Sequence, residues 1–508
     1  MTVGMIVTSI TILFTACTNE SATMNTSEMK PRKLTAQKWK KKVWIVTHDL
    51  SMKYPDEFDE NDNPYLNYIE DHTELDIEII HPSPISYEKT INRYFLSGRV
   101  PDMMSIHSSA FLSRYVHENK LMPLNELLDR YGPHLKAAIP QQVWDKVSKN
   151  GLIYAIPSLN ETRGHDVLFV RKDWLHTLGL QPPQTLAQME QVIRAFSTQD
   201  PDRNGLRDTY GFAMMPYLRY TSPILGAFGI QLDHWVIRND KLVFANIQPE
   251  MKEAVAFLAQ LYQEGMISPS SLLYDFKTSY NELIIKPGKV GMFVGDWFET
   301  RAAIAQHKEV EPDAEWIAID APIGKNGQRG TYELPEIWGY QVIPKDSKKA
   351  AEVIRMLDFI VGEGKHVLEY GFKDEIWNEE SGNLVTNFKA HDKHAYRGIY
   401  SKLVKTNDRR VLKERLHSLG EQYQLYENVL QAEKHVMRNA FEGWPTRSMY
   451  MNNPQLDELK VMFNDMIMGI QPLDYFDEYV KRWNGLGGKS MTTEVNDWFE
   501  TVQSEGGR

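Results

Sequence analysis

VWIVT at residues 43–47, LDIEII at 75–80 and DMMSI at 102–106 are three short, β-rich apolar runs near the start of the chain. Helical periodicity separates them, around 65–69 and again over about 87–96. Strands that alternate with helices of about ten residues are typical of βαβ units, which build a parallel sheet. This stretch therefore predicts an α/β fold.

The same alternation continues further along the chain. Two more strands are predicted at 152–157 and 167–170, and a helix is predicted at 349–361. The C-terminal part is mostly helical, with long amphipathic stretches at 412–436 and 456–468. We find no internal repeat, so we expect globular lobes rather than a repeat array.

Composition narrows the class of protein. The 508 residues are 42% hydrophobic and 25% charged, which is a globular balance and excludes disordered, collagen-like and coiled-coil chains. A length of 508 suggests about two to four domains. With 57 basic against 68 acidic side chains, the net charge is -11 and no long basic block is present, so we expect no nucleic-acid partner.

The N-terminal segment predicts secretion. Residues 3–16 form an uncharged, mostly apolar run, which is shorter than the roughly 20 residues of a membrane-spanning helix. TAC at 15–17 resembles the cleavage box of bacterial lipoproteins, so residues 1–17 are identified as a signal peptide ending at a lipidated Cys17, the site of palmitate or a related acyl group. The polar residues 18–40 would then be a flexible tether. The alternative is a buried N-terminal helix with an ordinary core cysteine.

The stretch DPDRNGLRD at 200–208 has the spacing of a calcium loop. Oxygen ligands recur at alternate positions, and Gly205 at position 6 permits the sharp turn. Position 12 is Gly211 rather than Glu, so this is not a complete EF-hand, and an Asx-rich turn is the alternative. The predicted ligands of one structural calcium are Asp200, Asp202, Asn204, the carbonyl of Leu206, and Asp208.

The sequence lacks the common nucleotide-binding motifs and the nucleophile elbow of hydrolases. GGKS at 487–490 lacks the first glycine of a P-loop, because Trp483 stands there. No Gly-x-Gly-x-x-Gly follows a strand, and no Gly-x-Ser-x-Gly elbow is present. We therefore expect a protein that is not an enzyme.

Three blocks in order resemble the extracellular solute-binding lipoproteins of bacterial ABC sugar importers, family 1, in its large Gram-positive branch. The blocks are FVRKDWL at 169–175 with the calcium loop and TYGF at 209–212, GMFVGDW at 291–297, and PLDYFDEYV at 472–480 with EVNDW at 494–498. The resemblance implies two α/β lobes joined by a multi-strand hinge, a ligand cleft between them, and a helical C-terminal extension.

The resemblance also implies how the chain is divided between the lobes. We expect an N-lobe of residues 41–158 and 318–337. We expect a C-lobe of residues 159–317 and 338–508, which includes the calcium loop 200–208.

Sugar recognition needs flat aromatic faces together with carboxylates and amides for the hydroxyl groups. The resemblance places a stacking tryptophan at Trp297. Asp49 and His48 follow the first strand, at the edge where open α/β sheets bind ligands. The alternative for Trp297 is a core tryptophan. The resemblance also places an acid, Glu161, at the expected first hinge crossing. The remaining candidates lie near strand ends or the expected hinge crossings, where a structural role is the alternative: Ser108, Ser109, Arg163, Tyr217, Tyr220, Glu336 and Trp338.

These features predict a lipid-anchored, monomeric subunit on the extracellular face of the cell membrane. It would bind a carbohydrate, which we expect to be an oligosaccharide, and deliver it to membrane permease subunits. One alternative is an extracellular carbohydrate-active enzyme that uses Asp49 and Glu161 as its two carboxylates. Another is a sensor subunit for a signalling kinase, which would share the same fold.

Overall fold

The computed structural model describes residues 40–273, 280–281 and 285–506. The predicted signal peptide, the lipidation site Cys17 and the tether up to residue 39 lie outside the described residues. Within the described ranges, no helix combines the length and the apolar character needed to cross a membrane. Residues from Lys41 onward form one compact unit, and this unit contains two large hydrophobic cores and two smaller ones.

The strands of this unit are numbered in chain order. They are β1 Lys41–Val46, β2 Leu75–Ile80, β3 Met103–Ile106, β4 Ser148–Lys149, β5 Leu152–Ile153, β6 Ile156–Leu159, β7 Asp166–Arg171, β8 Trp235–Arg238, β9 Lys241–Phe244, β10 Met292–Asp296, β11 Trp316–Ile319, β12 Thr331–Tyr332, β13 Ile337–Val342, β14 Trp377–Glu380, β15 Asn383–Thr386 and β16 Val436–Met437. The α-helices are Pro64–Thr73, Tyr87–Ser97, Ser109–His117, Asn125–Tyr131, Pro133–Ala138, Gln141–Lys146, Lys172–Thr177, Leu186–Thr198, Ser222–Ala227, Pro249–Gln263, Ala303–Val310, Ala350–Val361, Lys365–Tyr370, Phe388–Lys393, Gly398–Ser401, Arg409–Ser418, Leu425–Glu433, Arg447–Glu458, Val461–Ile467, Tyr475–Trp483 and Lys489–Gly506.

The first lobe is built on a five-stranded mixed sheet in the order β2-β1-β3-β13-β6. β1 pairs in parallel with β2 and β3, whereas β13 runs antiparallel to β3 and β6. In β2, Leu75 and Ile77 are buried and Asp76 is exposed, which is the alternation expected of a half-buried strand. The α/β prediction is confirmed, and all three opening runs form strands.

The helix Pro64–Thr73, which precedes β2, begins with a residue that caps its N-terminus. Asn63 is the N-cap, and its side chain accepts a hydrogen bond from the backbone N–H of Leu66 at 3.0 Å. Pro64 occupies the first turn, where a missing N–H costs nothing. Tyr65, Leu66 and Ile69 then lie on the buried face of the helix against the first core.

The second lobe differs from the parallel sheet that its sequence pattern predicted. Its main sheet has three strands in the order β10-β7-β11, and β7 is antiparallel to both neighbours. The extended run at 210–213 forms isolated bridges, Tyr210 with Val290, Phe212 with Ile267 and Ala213 with Phe293. Apolar runs indicate that a segment is extended, but they carry little information on the direction of its partner.

The predicted lobe boundaries are wrong in the second half of the chain. Residues 338–404 pack in the first core rather than in the C-lobe, as Val353 and Leu357 show. Residues 318–319 belong instead to β11 in the second lobe. The reason is that β13 continues to Val342 between β3 and β6, so the helix that follows it lies against the first sheet.

Three segments connect the lobes, at 160–165, 333–336 and 405–408, and they form the hinge. The Leu159 N–H donates to the Lys405 carbonyl at 2.9 Å, and the Asn160 N–H donates to the Glu336 carbonyl at 2.9 Å. The Leu334 N–H donates to the Arg163 carbonyl at 2.7 Å. The crossing at 160–165 lies next to the expected lobe boundary at 158/159. The crossing at 333–336 lies near the expected boundary at 337/338, but it leads from the second lobe into the first. The expected boundary at 317/318 and the observed crossing at 405–408 have no counterpart in each other.

The C-terminal part is helical, as predicted, but its long stretches are broken. Residues 412–436 were expected to form one amphipathic stretch, and Gly420 interrupts it with a φ of 105°. This left-handed conformation suits glycine because it has no Cβ. The stretch therefore folds as helices Arg409–Ser418 and Leu425–Glu433, which pack against each other around Leu412 and Val429.

Candidate functional site

Three cavities lie along the cleft in front of the hinge. The hinge cavity, about 480 Å³, is lined by crossing residues such as Asn160 and Pro335 and by Tyr332 and Trp444. The first-lobe cavity, about 460 Å³, contains His48. The second-lobe cavity, about 320 Å³, shares Tyr332 with the hinge cavity. Pockets of this size at a boundary between lobes are typical of small-ligand sites.

Aromatic side chains from distant parts of the chain line the hinge cavity. They are Tyr332, Tyr340, Phe441 and Trp444. Tyr340 comes from β13 in the first lobe, and Trp444 comes from the C-terminal part. Trp444 also packs against the first core, so the C-terminal part contributes to the wall of this cavity.

The charged side chains of the hinge cavity are organised in pairs. Lys146 Nζ lies 2.9 Å from Glu336 Oε2, and Arg163 Nη2 lies 2.7 Å from Glu333 Oε1. Arg438 forms a third pair with Glu442, four residues along the chain. Each cation that lines this cavity therefore has a carboxylate partner.

The first-lobe cavity is built around two histidines. The ring of His48 stacks on Tyr87 with centroids 3.4 Å apart, and it meets the His107 ring edge-on at 4.3 Å. Burial, and then the charge of His107, lower the pKa of His48 to about 4. His48 is therefore neutral near pH 7 and offers one donor and one acceptor nitrogen. Trp338 lies edge-on to His107 at 4.2 Å.

The second-lobe cavity carries carboxylates beside aromatic rings. His165 and Ser222 both contact the Asp166 carboxylate. Tyr220 points its hydroxyl towards Asp296 Oδ1, at 3.4 Å. Burial raises the pKa of Tyr220 far above its ordinary value, so its phenol stays protonated and can donate a hydrogen bond.

Seven of the predicted ligand residues line these cavities, and they lie in three groups. His48, Asp49 and Trp338 lie in the first-lobe cavity. Ser109, Arg163 and Glu336 lie in the hinge cavity. Tyr220, named with Tyr217 from the same segment, lines the second-lobe cavity.

Four predicted residues do not line the described cavities, and each has a structural contact. Ser108 is the N-cap of the helix Ser109–His117 and accepts from the Phe111 N–H. The Tyr217 N–H donates to Asn464 Oδ1 at 2.7 Å. Trp297 follows β10, half-buried between two small cores, and its carbonyl accepts from Asn428 Nδ2 at 3.0 Å. The stacking of Trp297 on a ligand stays a prediction.

The fourth of these residues, Glu161, belongs to a buried ion-pair network at the hinge. Arg415 Nη2 donates to its two carboxylate oxygens at 2.8 and 2.9 Å, and Lys405 Nζ lies 3.3 Å away. Burial alone would raise the pKa of Glu161, but the charges of Arg415 and Lys405 outweigh it and lower the pKa to about 2. Two cations therefore hold the Glu161 carboxylate at the hinge, and ligand binding by Glu161 stays a prediction.

Several cavity residues were not predicted. His165 and Asp166 stand at the first crossing, two residues beyond Arg163, so the same hinge argument could have found them. Trp444 and Tyr332 gave no local signal, because only the folded chain brings their segments to the cleft.

The predicted calcium loop is compact and contains a cation of the protein itself. Asp200 accepts from the backbone N–H groups of Asn204 and Gly205, both at 3.0 Å. Lys289 Nζ lies 3.0 Å from Asp202 Oδ2 and 2.9 Å from Asp208 Oδ2. The hydrogen bond from Lys289 lowers the pKa of Asp208.

All the predicted calcium ligands in this loop are oxygen atoms. Asp202 Oδ1 is buried and accepts no hydrogen bond in the described part of the chain, as an oxygen reserved for a metal would. Leu206 is 60% exposed on the loop surface. Across the described ranges, no three His, Cys, Asp or Glu side chains are already arranged as a metal site. The donor set fits calcium, and calcium binding stays a prediction.

The sequence of this chain matches that of known proteins over most of its length. The family model described as bacterial extracellular solute-binding protein matches residues 56–366. The chain belongs to this family. It is 25% identical over 466 residues to lipoprotein LipO of Bacillus subtilis (strain 168), covering 86% of this chain and 89% of LipO.

The names of two further similar proteins state which carbohydrate each of them binds. The polygalacturonan/rhamnogalacturonan-binding protein YtcQ of B. subtilis (strain 168) is 24% identical over 448 residues, covering 85% of this chain and 86% of YtcQ. The structure of the S. pneumoniae ABC-transporter substrate-binding protein FusA, as an EF-hand mutant in complex with fructo-nystose, has a TM-score of 0.72 and 19% identity. It covers 92% of this chain and 100% of FusA. The predicted two-lobe fold is confirmed.

Proposed function

We propose that this protein is the lipid-anchored, extracellular subunit of an ABC importer that binds an oligosaccharide and delivers it to a membrane permease. Membership of the solute-binding family and the ligands named for YtcQ and FusA support this proposal. The anchor would be Cys17, and the protein would act as a monomer. The two ligands differ in chemistry, because polygalacturonan is a chain of sugar acids and fructo-nystose is uncharged.

The observation that carries the proposal is the mixture of groups along the cleft. Sugars present apolar ring faces together with many hydroxyl groups, so they need aromatic platforms beside hydrogen-bonding side chains. Trp338, Tyr332 and Trp444 supply rings, and His48 and Asp49 supply polar atoms nearby. The cavities extend across the hinge, which suits a ligand longer than one sugar unit.

The hinge supports delivery by lobe closure. Three crossings joined by backbone hydrogen bonds allow the lobes to rotate while the connection stays intact. A ligand that contacts both lobes stabilises the closed form, because it gains contacts there that the open form lacks. The closed form would then dock on the permease.

A hydrolase is the less favoured function. A glycosidase needs two carboxyl groups beside the scissile bond, one of which donates a proton. Glu161, expected to be one of the two, has a pKa of about 2 and is held by Arg415, so it is ionised and cannot act as the acid near pH 7. We therefore propose binding without bond cleavage.

The experiment is a calorimetric titration of residues 41–508 with neutral and acidic oligosaccharides, followed by chromatography of the sugars. We expect saturable binding of one class and unchanged sugar. Trp338→Ala should weaken binding by about 1–3 kcal/mol, the usual cost of losing an aromatic anchor. Phe388→Ala is the control, since Phe388 is an exposed ring that lines none of the three cavities. Cleaved sugars, or no binding by folded protein, would contradict the proposal.

A further inference from the structure

We infer that the cleft is built for an uncharged oligosaccharide and discriminates against polyuronates. This inference rests on the proposed function and decides between the two chemistries. A polyuronate carries one carboxylate on each sugar unit. A site for it must therefore supply cations whose charge is not already balanced by the protein, because transferring an unpaired carboxylate from water into a cleft is costly.

The hinge cavity does not supply such cations. Lys146, Arg163 and Arg438 each contact a carboxylate that lines the same cavity. A uronate carboxylate could bind there only by displacing Glu336, Glu333 or Glu442. The displaced glutamate would stay within the same cavity and repel the ligand, so the exchange brings no gain.

The first-lobe cavity is also without excess positive charge. The two central histidines are neutral near pH 7, since burial lowers the pKa of both His48 and His107. The ionic groups of this cavity are Asp49, Glu88 and Lys89. Carboxylates exceed cations here, which suits the donation of hydrogen bonds by sugar hydroxyls.

In the second-lobe cavity, too, cations do not exceed carboxylates. Asp166 and Asp233 line it together with Arg219 and His165. Lys460 Nζ lies 2.5 Å from Asp233 Oδ2, so Asp233 already has a cationic partner. Asp166, which His165 and Ser222 contact, is then the carboxylate that can accept hydrogen bonds from sugar hydroxyl groups. Over the three cavities, five Lys or Arg side chains face seven Asp or Glu side chains. The cleft thus attracts hydroxyl groups and repels carboxylates.

The test compares ligands of equal length. Residues 41–508 are titrated with a panel of neutral trisaccharides and tetrasaccharides, including fructo-oligosaccharides, and with galacturonate and mannuronate oligomers. We expect a neutral sugar to bind at least about tenfold more tightly than any uronate, with an affinity that changes little between low and high salt. Tighter binding of a uronate that weakens with salt would overturn this inference and leave the proposed function intact. Binding of no carbohydrate would overturn both.

A gain-of-function variant tests the pairing directly. Glu333→Gln with Glu336→Gln removes the partners of Arg163 and Lys146 but keeps the side-chain shapes. Its affinity for a galacturonate oligomer should rise about tenfold, because Arg163 and Lys146 become free to donate charge-assisted hydrogen bonds to the uronate carboxylates. Glu253→Gln is the matched control, because Glu253 pairs with Lys325 at 2.8 Å outside the cavities. No gain in the folded double variant would contradict the pairing argument.

Discussion

Glu161 is the clearest case in which one side chain's surroundings decide its role. Arg415 and Lys405 hold it at the hinge, and Lys405 also contacts Glu369, so two acids and two bases form one network. The sequence indicated an acid at this crossing, but it could not show that Arg415 comes from a helix 254 residues away along the chain. Local sequence predicts where a residue lies better than what it contacts.

Glu161→Gln should lower the free energy of unfolding by about 3 kcal/mol near pH 7, because it leaves buried cations without their partner. The pKa of Glu161 falls from its ordinary 4.5 to about 2 on folding, so its contribution is present above pH 4.5 and is lost as pH falls towards 2. Urea unfolding at several pH values measures this. Sugar affinity should change little, and an unchanged stability with lost affinity would contradict the assignment.

His48 gives a second pH dependence of a single residue. Its pKa falls from an ordinary 6.5 to about 4 on folding, so the unfolded chain binds the proton more tightly. Stability from this group is therefore complete above pH 6.5 and is lost as pH falls to 4. His48→Asn should flatten that part of the unfolding curve, whereas His176→Asn, an exposed control, should not. An identical pH profile in both variants would refute the neutral buried His48.

Elements with a local pattern were predicted well. β1, β2 and β3 follow from apolar runs, and the helix at 349–361 is observed as Ala350–Val361. What failed was the assignment of elements to lobes, since β13 joins the first sheet through pairing with β3, which is far away in the sequence. Such partners are selected by packing, and no local pattern records them.

The calcium loop is the element whose behaviour is easiest to test. Chelation should lower the melting temperature, with calcium restoring it and magnesium restoring it poorly, because the loop offers irregularly placed oxygen ligands. Lys289→Met should enlarge the effect, since Asp202 and Asp208 would lose the cation that balances them. Lys308→Met, an exposed lysine elsewhere in the second lobe, is the control. A melting temperature that changes with neither chelator nor calcium would contradict calcium binding and favour the Asx-rich turn.

At the scale of the whole molecule, the cleft depends on segments that meet only after folding. Asp49 follows β1, Trp338 lies in β13, and Trp444 arrives from the C-terminal part. Asp49 was predicted from its position after a strand, and Trp338 was predicted from its position near an expected hinge crossing, so part of the site was predictable. The wall that contains Trp444 was not, because its position depends on contacts such as the Ser113 hydroxyl donating to the Pro445 carbonyl at 2.9 Å.

Hydrogen exchange with and without a saturating neutral oligosaccharide tests most directly whether the ligand binds between the lobes. The account predicts slower exchange in segments of both lobes that line the cavities, at 48–51 in the first lobe, at 218–222 in the second lobe, and at 332–338 and 441–445 in the hinge cavity. The hairpin of β14 and β15, which lines none of the three cavities, should exchange at an unchanged rate. Protection confined to one lobe, or absent from all four segments under saturating sugar, would contradict a carbohydrate site in the cleft.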